Sequence, residues 1–167
     1  MNELVLRARP LTASAFQPFG EVIETAGHAA RPINEDTCLR YDDLARIDVA
    51  AQGGRPLLSV FVASPRPLPL RVRALERHPL SSQAFFPLES RRFLVVVAED
   101  GAAPLSRRLH AFLSSGGQGV NYRRNTWHHP LIALDAPSHF VVVDRGGTGE
   151  NCEETTVEDA VVLVTAE

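Results

Sequence analysis

Leu70-Arg71-Val72-Arg73-Ala74-Leu75-Glu76-Arg77-His78 is the stretch from which the fold is read. Leu70, Val72, Ala74 and Glu76 alternate with Arg71, Arg73, Leu75 and Arg77, and that period of two predicts a half-exposed strand. Segments of the same kind lie on both sides. Leu57–Ala63, between Pro56 and Pro65, is rich in branched and aromatic residues; Gln83–Pro87, Arg92–Ala98, Arg108–Leu113, His139–Arg145 and Ala160–Val164 follow. Nearer the start, Leu4, Leu6 and Ala8 predict a strand stopped by Pro10, and Glu21–Glu24 predicts another. Thr12 is placed to cap a short helix over Ala13–Phe19 that Gly20 ends. Ala26–Thr37 reads as loop, and Leu39–Leu44 as a strand end entering a turn of helix. Many short strands without long amphipathic helices between them predict one all-β domain over residues 1–167, a sandwich or barrel with antiparallel pairing.

A chain of 167 residues can bury a real core. Its net charge of −3 gives no electrostatic hold on nucleic acid or an anionic membrane. All 17 basic residues are arginine, which excludes a Schiff-base lysine. Cys38 and Cys152 stand far apart with no CxxC pattern, so reduced thiols are expected. The first nine residues hold no apolar run of signal-peptide length, and no run of about 18 apolar residues occurs elsewhere, so no membrane span is expected.

Two windows carry the chemistry. Gly117–Leu134 packs Trp127, His128, His129, Arg123, Arg124, Asn121 and Asn125 in front of Pro130–Leu134, which predicts a buried strand. So many costly polar groups beside apolar surface point to a site. The second window runs from Glu76 to Phe85.

The spacing within these windows is that of cupin barrels, whose two motifs read G-x5-H-x-H-x4-E-x6-G and G-x5-P-x-G-x2-H. Glu76-x-His78-x4-Gln83 keeps the first, with Ser90 at the closing glycine; Gly117-x5-Arg123-x-Asn125-x2-His128 keeps the second. The expectation is a cupin-like antiparallel β-barrel of the double-stranded β-helix or jelly-roll type, with short peripheral helices. Residues i and i+2 of a strand share a face, so Glu76 and His78 both reach the lumen, where Gln83 and His128 can join them. One carboxylate, two imidazoles and an amide oxygen make a set for a divalent metal, nickel, zinc, iron or manganese by ligand type. The same lumen can also bind substrate directly without metal, a histidine then acting as base with Glu76 orienting it.

Arg123 leads the candidates for holding a substrate carboxylate, with Arg40 and Arg73 behind it; Tyr41, Gln83 and Asn125 complete the binding set. His129 should face away from His128 and take a structural hydrogen bond. His28, His110 and His139 read as surface or packing residues, and Trp127 as packing. Asp144-Arg145 is either an ion pair shaping a turn or part of the barrel mouth.

At these residues the chain resembles the ureidoglycolate lyase family. The resemblance runs through Phe16-x-x-Phe19-Gly20-x-Val22-Ile23-Glu24, Arg40-Tyr41-x-Asp43-Leu44, and Glu76-Arg77-His78-Pro79-Leu80-x-x-Gln83-Ala84-Phe85. It continues through Gly119-Val120-Asn121-Tyr122-x-Arg124-Asn125-x-Trp127-His128-His129-Pro130-Leu131, Asp144-Arg145-Gly146-Gly147 and Asn151-Cys152. It implies a cytoplasmic homodimer that splits (S)-ureidoglycolate into glyoxylate and urea in allantoin and purine nitrogen catabolism, with nickel or another divalent ion. Two other classes share the fold: a small-acid-binding cupin without catalysis, and a metal-dependent dioxygenase or isomerase.

Overall fold

The computed structural model describes residues 3–165. Its first half contains β1 (Leu4–Pro10), one helical turn α1 (Ala13–Phe16), β2 (Gly20–Ile23), β3 (Arg31–Ile33), β4 (Cys38–Arg40), β5 (Arg55–Ala63) and β6 (Leu70–Arg77). The second half contains β7 (Gln83–Pro87), β8 (Phe93–Ala98), β9 (Leu109–Leu113), β10 (Gly119–Tyr122), β11 (Trp127–His128), β12 (Ile132–Ala133), β13 (Ser138–Gly146) and β14 (Glu153–Thr165). The fold is mostly β, as expected.

One sheet runs β11-β6-β14-β1-β9-β8-β12 and closes on itself, because β11 pairs with both β6 and β8. The other runs β2-β10-β7-β13-β5. Leu70, Val72, Leu75, Leu94, Val96, Ala111, Val161 and Leu163 fill the closed barrel. A second, aromatic core lies between the sheets, where Phe16, Phe93, Phe112 and Phe140 meet edge to face: Phe16 with Phe112 at 5.7 Å, Phe93 with Phe140 at 5.2 Å. Strand alternation makes this division, since Phe93, Val95 and Val97 of β8 face the second core while Leu94 and Val96 face the first.

Several sequence expectations need correction. The barrel is mixed, because β1 runs parallel to both β14 and β9. The helix stops at Phe16: Thr12 caps it through the Ala15 amide at 3.2 Å, but Gly20 belongs to β2. Gly20 is required by close approach, since a Cβ there would sit 1.9 Å from the Asn121 carbonyl oxygen. The loop expected over 26–37 contains β3, which forms a hairpin with β4, and residues 41–44 form no helical turn; the first one after β4 is the 3-10 turn Ala51–Gly53. β14 begins at Glu153, seven residues before the predicted Ala160. The strand expected over Pro130–Leu134 shrinks to the buried pair Ile132–Ala133.

The alternation along Leu70–Arg77 also slips by one. Leu70 and Val72 are buried, but Leu75 rather than Ala74 is the next buried residue. The register between β6 and β14 shifts between Thr156 and Val161, and such an irregularity re-aims the side chains beyond it. Leu75 therefore fills the barrel, and Glu76 turns to the opposite face. That slip delivers Glu76 to the site.

Candidate active site

The site lies where the second core meets the ends of β6, β7, β10, β11 and β13. In β11, Trp127 packs on the barrel core and under the Arg77 guanidinium at 4.5 Å, so the next residue, His128, faces the other way. His128 is 1% exposed, stands opposite Glu76 in register, and stacks on the Tyr122 ring at 4.1 Å with a 10° tilt. His78 follows β6, its ring 5.2 Å from that of His128. Gln83 begins β7, opposite Tyr122.

The hydrogen bonds fix the polarity of each group. His78 Nδ1 is 2.7 Å from the Asn151 carbonyl, and His128 Nδ1 is 2.9 Å from the Thr126 carbonyl. A carbonyl only accepts, so both Nδ1 atoms carry hydrogen and each neutral ring turns an Nε2 lone pair inward. Gln83 Oε1 lies 3.1 Å from His78 Nε2 while its amide nitrogen donates to Asp144 Oδ2 at 3.4 Å. Glu76 Oε1 lies 3.4 Å from His128 Nε2 and 3.9 Å from His78 Nε2. The approach to His128 is off-axis, which leaves its buried Nε2 without a hydrogen-bond partner. Four acceptors thus face one another with no neutral donor between them. Such a nest calls for a donor or a positive charge at its centre, and a proton on an imidazole or a metal ion would each supply one.

Glu76, His78 and His128 bring ligand atoms within 4.8 Å of one another, an arrangement able to hold a metal. The donor set of two imidazoles with carboxylate and amide oxygens fits a divalent first-row ion. The His128 contact, outweighing burial, holds the Glu76 carboxyl below its ordinary value of 4.5, with further help from the charges of His78 and His129. Its share of stability is therefore complete above pH 4.5 and is lost as pH falls through the lowered folded value. Glu76→Gln should flatten the acid limb of Tm against pH; an acid limb unchanged from wild type would rule that contribution out.

Surrounding residues lock the geometry. Asn151 accepts from the Leu80 amide at 2.8 Å and donates to Ser81 Oγ at 2.9 Å, pinning the turn between β6 and β7. The Asn125 amide donates to the His78 carbonyl at 3.1 Å. Asn125 has φ 67°, a left-handed conformation that explains why asparagine can stand at a motif glycine. Cys152 and Glu154 approach Glu76 from outside. Burial, then Glu76 and Glu154, push the Cys152 thiol up, so it stays protonated.

The structure brings together His78, His128, Glu76 and Gln83, with Asn125 behind them through its backbone. It does not bring Arg123, Arg40, Arg73 or Tyr41 to the cluster. Arg123 donates to the Gln17 carbonyl at 3.1 Å and lines a separate cavity of about 320 Å³ with Arg124 and Asn125. Arg40 pairs with Asp42. Arg73 lines an outer groove of about 660 Å³ with Arg66 and His129, and Tyr41 is half-buried beyond β4. Burial and the nearby Arg66 keep the His129 imidazole below its usual value, and its Nδ1 donates to the Pro130 carbonyl at 2.7 Å. Arg145 bonds to the carbonyls of Ala51, Gln52 and Thr148 and not to Asp144. Tyr122 and Asn151 lay inside the resembling blocks, but no ligand spacing marked them.

A family model described as ureidoglycolate lyase matches residues 3–164. The chain belongs to the ureidoglycolate lyase family. A relative named ureidoglycolate lyase from Burkholderia mallei (strain NCTC 10229) is 54% identical over 158 residues, 95% of this chain and 92% of its own. Ureidoglycolate lyases from Brucella anthropi and Azotobacter vinelandii are 50% and 49% identical, covering 98% and 90% of this chain and 96% and 90% of their own. Among solved structures, a 3,4-ketoisomerase from Helicobacter canadensis aligns at a TM-score of 0.43 and 11% identity, over 78% of this chain and 84% of its own. That last likeness is too slight to build on.

Proposed function

We propose that the protein is a ureidoglycolate lyase, cleaving (S)-ureidoglycolate into glyoxylate and urea. Family membership supports the substrate, and one observation carries the residue assignment: four converging acceptors, one of them a buried and unpartnered His128 Nε2. Glu76, His78 and His128, with Gln83 beside them, would hold a divalent cation, nickel by family. When bound, it polarises the carbinol oxygen and lowers the pKa of its hydroxyl.

The chain's own residues supply the rest. Glu76, kept ionised by its histidine neighbours, accepts the carbinol proton. The carbon–nitrogen bond then breaks, its electron pair leaving with the urea nitrogen as the carbonyl of glyoxylate forms. The proton taken from oxygen is the one that nitrogen requires, so a single carrier balances the reaction. Among the described residues no arginine hydrogen-bonds or ion-pairs with the cluster, and the charges that shift Glu76 are all histidines. A cation held by these residues would supply the counter-charge for the substrate carboxylate, and Arg123→Ala should then leave glyoxylate affinity within about threefold, well short of the cost of unpairing a buried charge. A tenfold loss would return the clamp to Arg123. Anaerobic release of urea and glyoxylate in equal amounts tests the activity, since a binder releases neither and a dioxygenase needs oxygen.

The same reading includes a cytoplasmic homodimer. Both cysteines are exposed and unpaired, as suits a reducing compartment, and no described helix is long and apolar enough to cross a membrane. Leu58, Val60 and Val62 of β5 are 72%, 58% and 64% exposed beside the exposed Phe86, an apolar face at an unpaired sheet edge. A second copy seated there would cover it. Light scattering at micromolar concentration should give a dimer for wild type and a monomer for Val60→Glu; a monomeric wild type would dismiss the dimer.

A further inference from the structure

We infer that Asp144 is a positioning residue of the site: its carboxylate orients the Gln83 amide so that the oxygen, not the NH2 group, faces His78. The inference builds on the cation-binding reading given above. An amide has two ends of opposite polarity and similar shape, so something must choose between them. Here Gln83 Nε2 lies 3.4 Å from Asp144 Oδ2, and Gln83 Oε1 lies 3.1 Å from His78 Nε2. Turning the amide over would set oxygen against carboxylate. It would also aim an N–H at the His78 Nε2 lone pair, the very electrons a cation uses. The carboxylate therefore decides the polarity of the whole nest.

Asp144 is free for this task. In the register of β13 with β7, Val143 stands opposite Ala84, so Asp144 comes beside Gln83. The adjacent Arg145 sends its guanidinium to three backbone carbonyls, which leaves Asp144 without that counter-charge. Asp144 Oδ1 is buried and has no partner among the described residues. An unsatisfied buried carboxylate oxygen is costly, and its retention beside the site calls for a functional reason. The pair also explains why glutamine can stand where the cupin motif has glutamate. A glutamate at position 83 would present an acceptor in either orientation and need no guide. A glutamine needs one, and Asp144 supplies it from the neighbouring strand.

The test is a cycle of four proteins: wild type, Asp144→Ala, Gln83→Glu and the double variant. Ni²⁺ is titrated calorimetrically into each metal-free protein. Asp144→Ala should weaken Ni²⁺ binding by at least about tenfold, as loss of a partner behind a metal ligand does. In the Gln83→Glu background the same change should cost less than about twofold, because either carboxylate oxygen accepts. Equal losses in both backgrounds overturn the inference. A second readout needs no metal: the side-chain amide resonances of Gln83 should shift in Asp144→Ala, and to a smaller degree in the isosteric Asp144→Asn. An amide unmoved by either change overturns the inference as well. A shifted amide in a wild-type protein that binds no Ni²⁺ upholds the role of Asp144 and counts against the cation reading alone.

Discussion

His128→Ala should lower kcat/KM for (S)-ureidoglycolate by at least about a hundredfold, and His78→Ala should do the same, because each removes a lone pair from the nest in which proton transfer occurs. Their effects on stability should differ. His128 is 1% exposed and stacked on Tyr122, so its truncation opens a cavity and strips Glu76 of the contact that keeps it ionised. His78 has a side chain that is 13% exposed, and its main anchor is the Asn151 carbonyl. Thermal unfolding should therefore show a clear fall in Tm for His128→Ala and a small one for His78→Ala, at equal loss of turnover. Near-wild-type turnover in both variants would remove the cluster as the site. A matching fall in Tm for the two would mean that the buried stack on Tyr122 contributes little.

The fold was legible because strands announce themselves locally. Phe93–Ala98 and His139–Arg145 carry branched and aromatic residues between breakers, and both became central strands. Expectations failed where long-range packing set the outcome. Nothing local distinguishes a parallel neighbour from an antiparallel one, so β1, flanked by β9 and β14, was misread. The Leu75 slip depends on an irregularity in β14, a strand that begins only at Glu153 and one whose first half was not recognised. The hairpin β3–β4 is mostly exposed and has only three residues a strand, too short for an alternation to show.

The site divides in the same way. Glu76, His78, Gln83 and His128 were expected from their spacing to converge, and they do, because strand periodicity converts a sequence interval into a shared face. The arginines stand apart from that cluster, because charge type says what a residue can bind and nothing about where a long side chain goes. Arg123 leaves β10 on the turn toward β11 and anchors to α1's far side through Gln17; Arg40 and Arg73 lie on exposed strand faces. Tyr122 and Asp144 went unassigned for a related reason. Each acts through a partner on another strand, His128 for one and Gln83 for the other, and no interval along the chain records that meeting.

Removal of bound metal should abolish turnover, and Ni²⁺ should restore it. In the metal-free nest, His78 Nε2, His128 Nε2, Gln83 Oε1 and Glu76 Oε1 present lone pairs to one another at 3.1 to 3.9 Å. Protonation of one imidazole can relieve that repulsion, but it converts an acceptor into a donor and leaves the substrate carboxylate with a weaker, titratable counter-charge. A divalent ion held by Glu76, His78 and His128, with Gln83 beside them, would relieve that repulsion and leave Glu76 ionised. Affinity of nitrogen-rich sites rises from Mn²⁺ to Ni²⁺, so add-back after a strong chelator should succeed at lower Ni²⁺ than Mn²⁺ concentrations. Glu76→Gln removes the proton acceptor as well as one charged ligand, so its weaker hold on either ion should be read by calorimetric titration and not by turnover. Full turnover in a preparation shown by elemental analysis to be metal-free would refute the metal and leave the protonated imidazole as the cation. Restoration by Mn²⁺ at lower concentration than Ni²⁺ would instead keep a metal but reject imidazole nitrogen as its principal ligand.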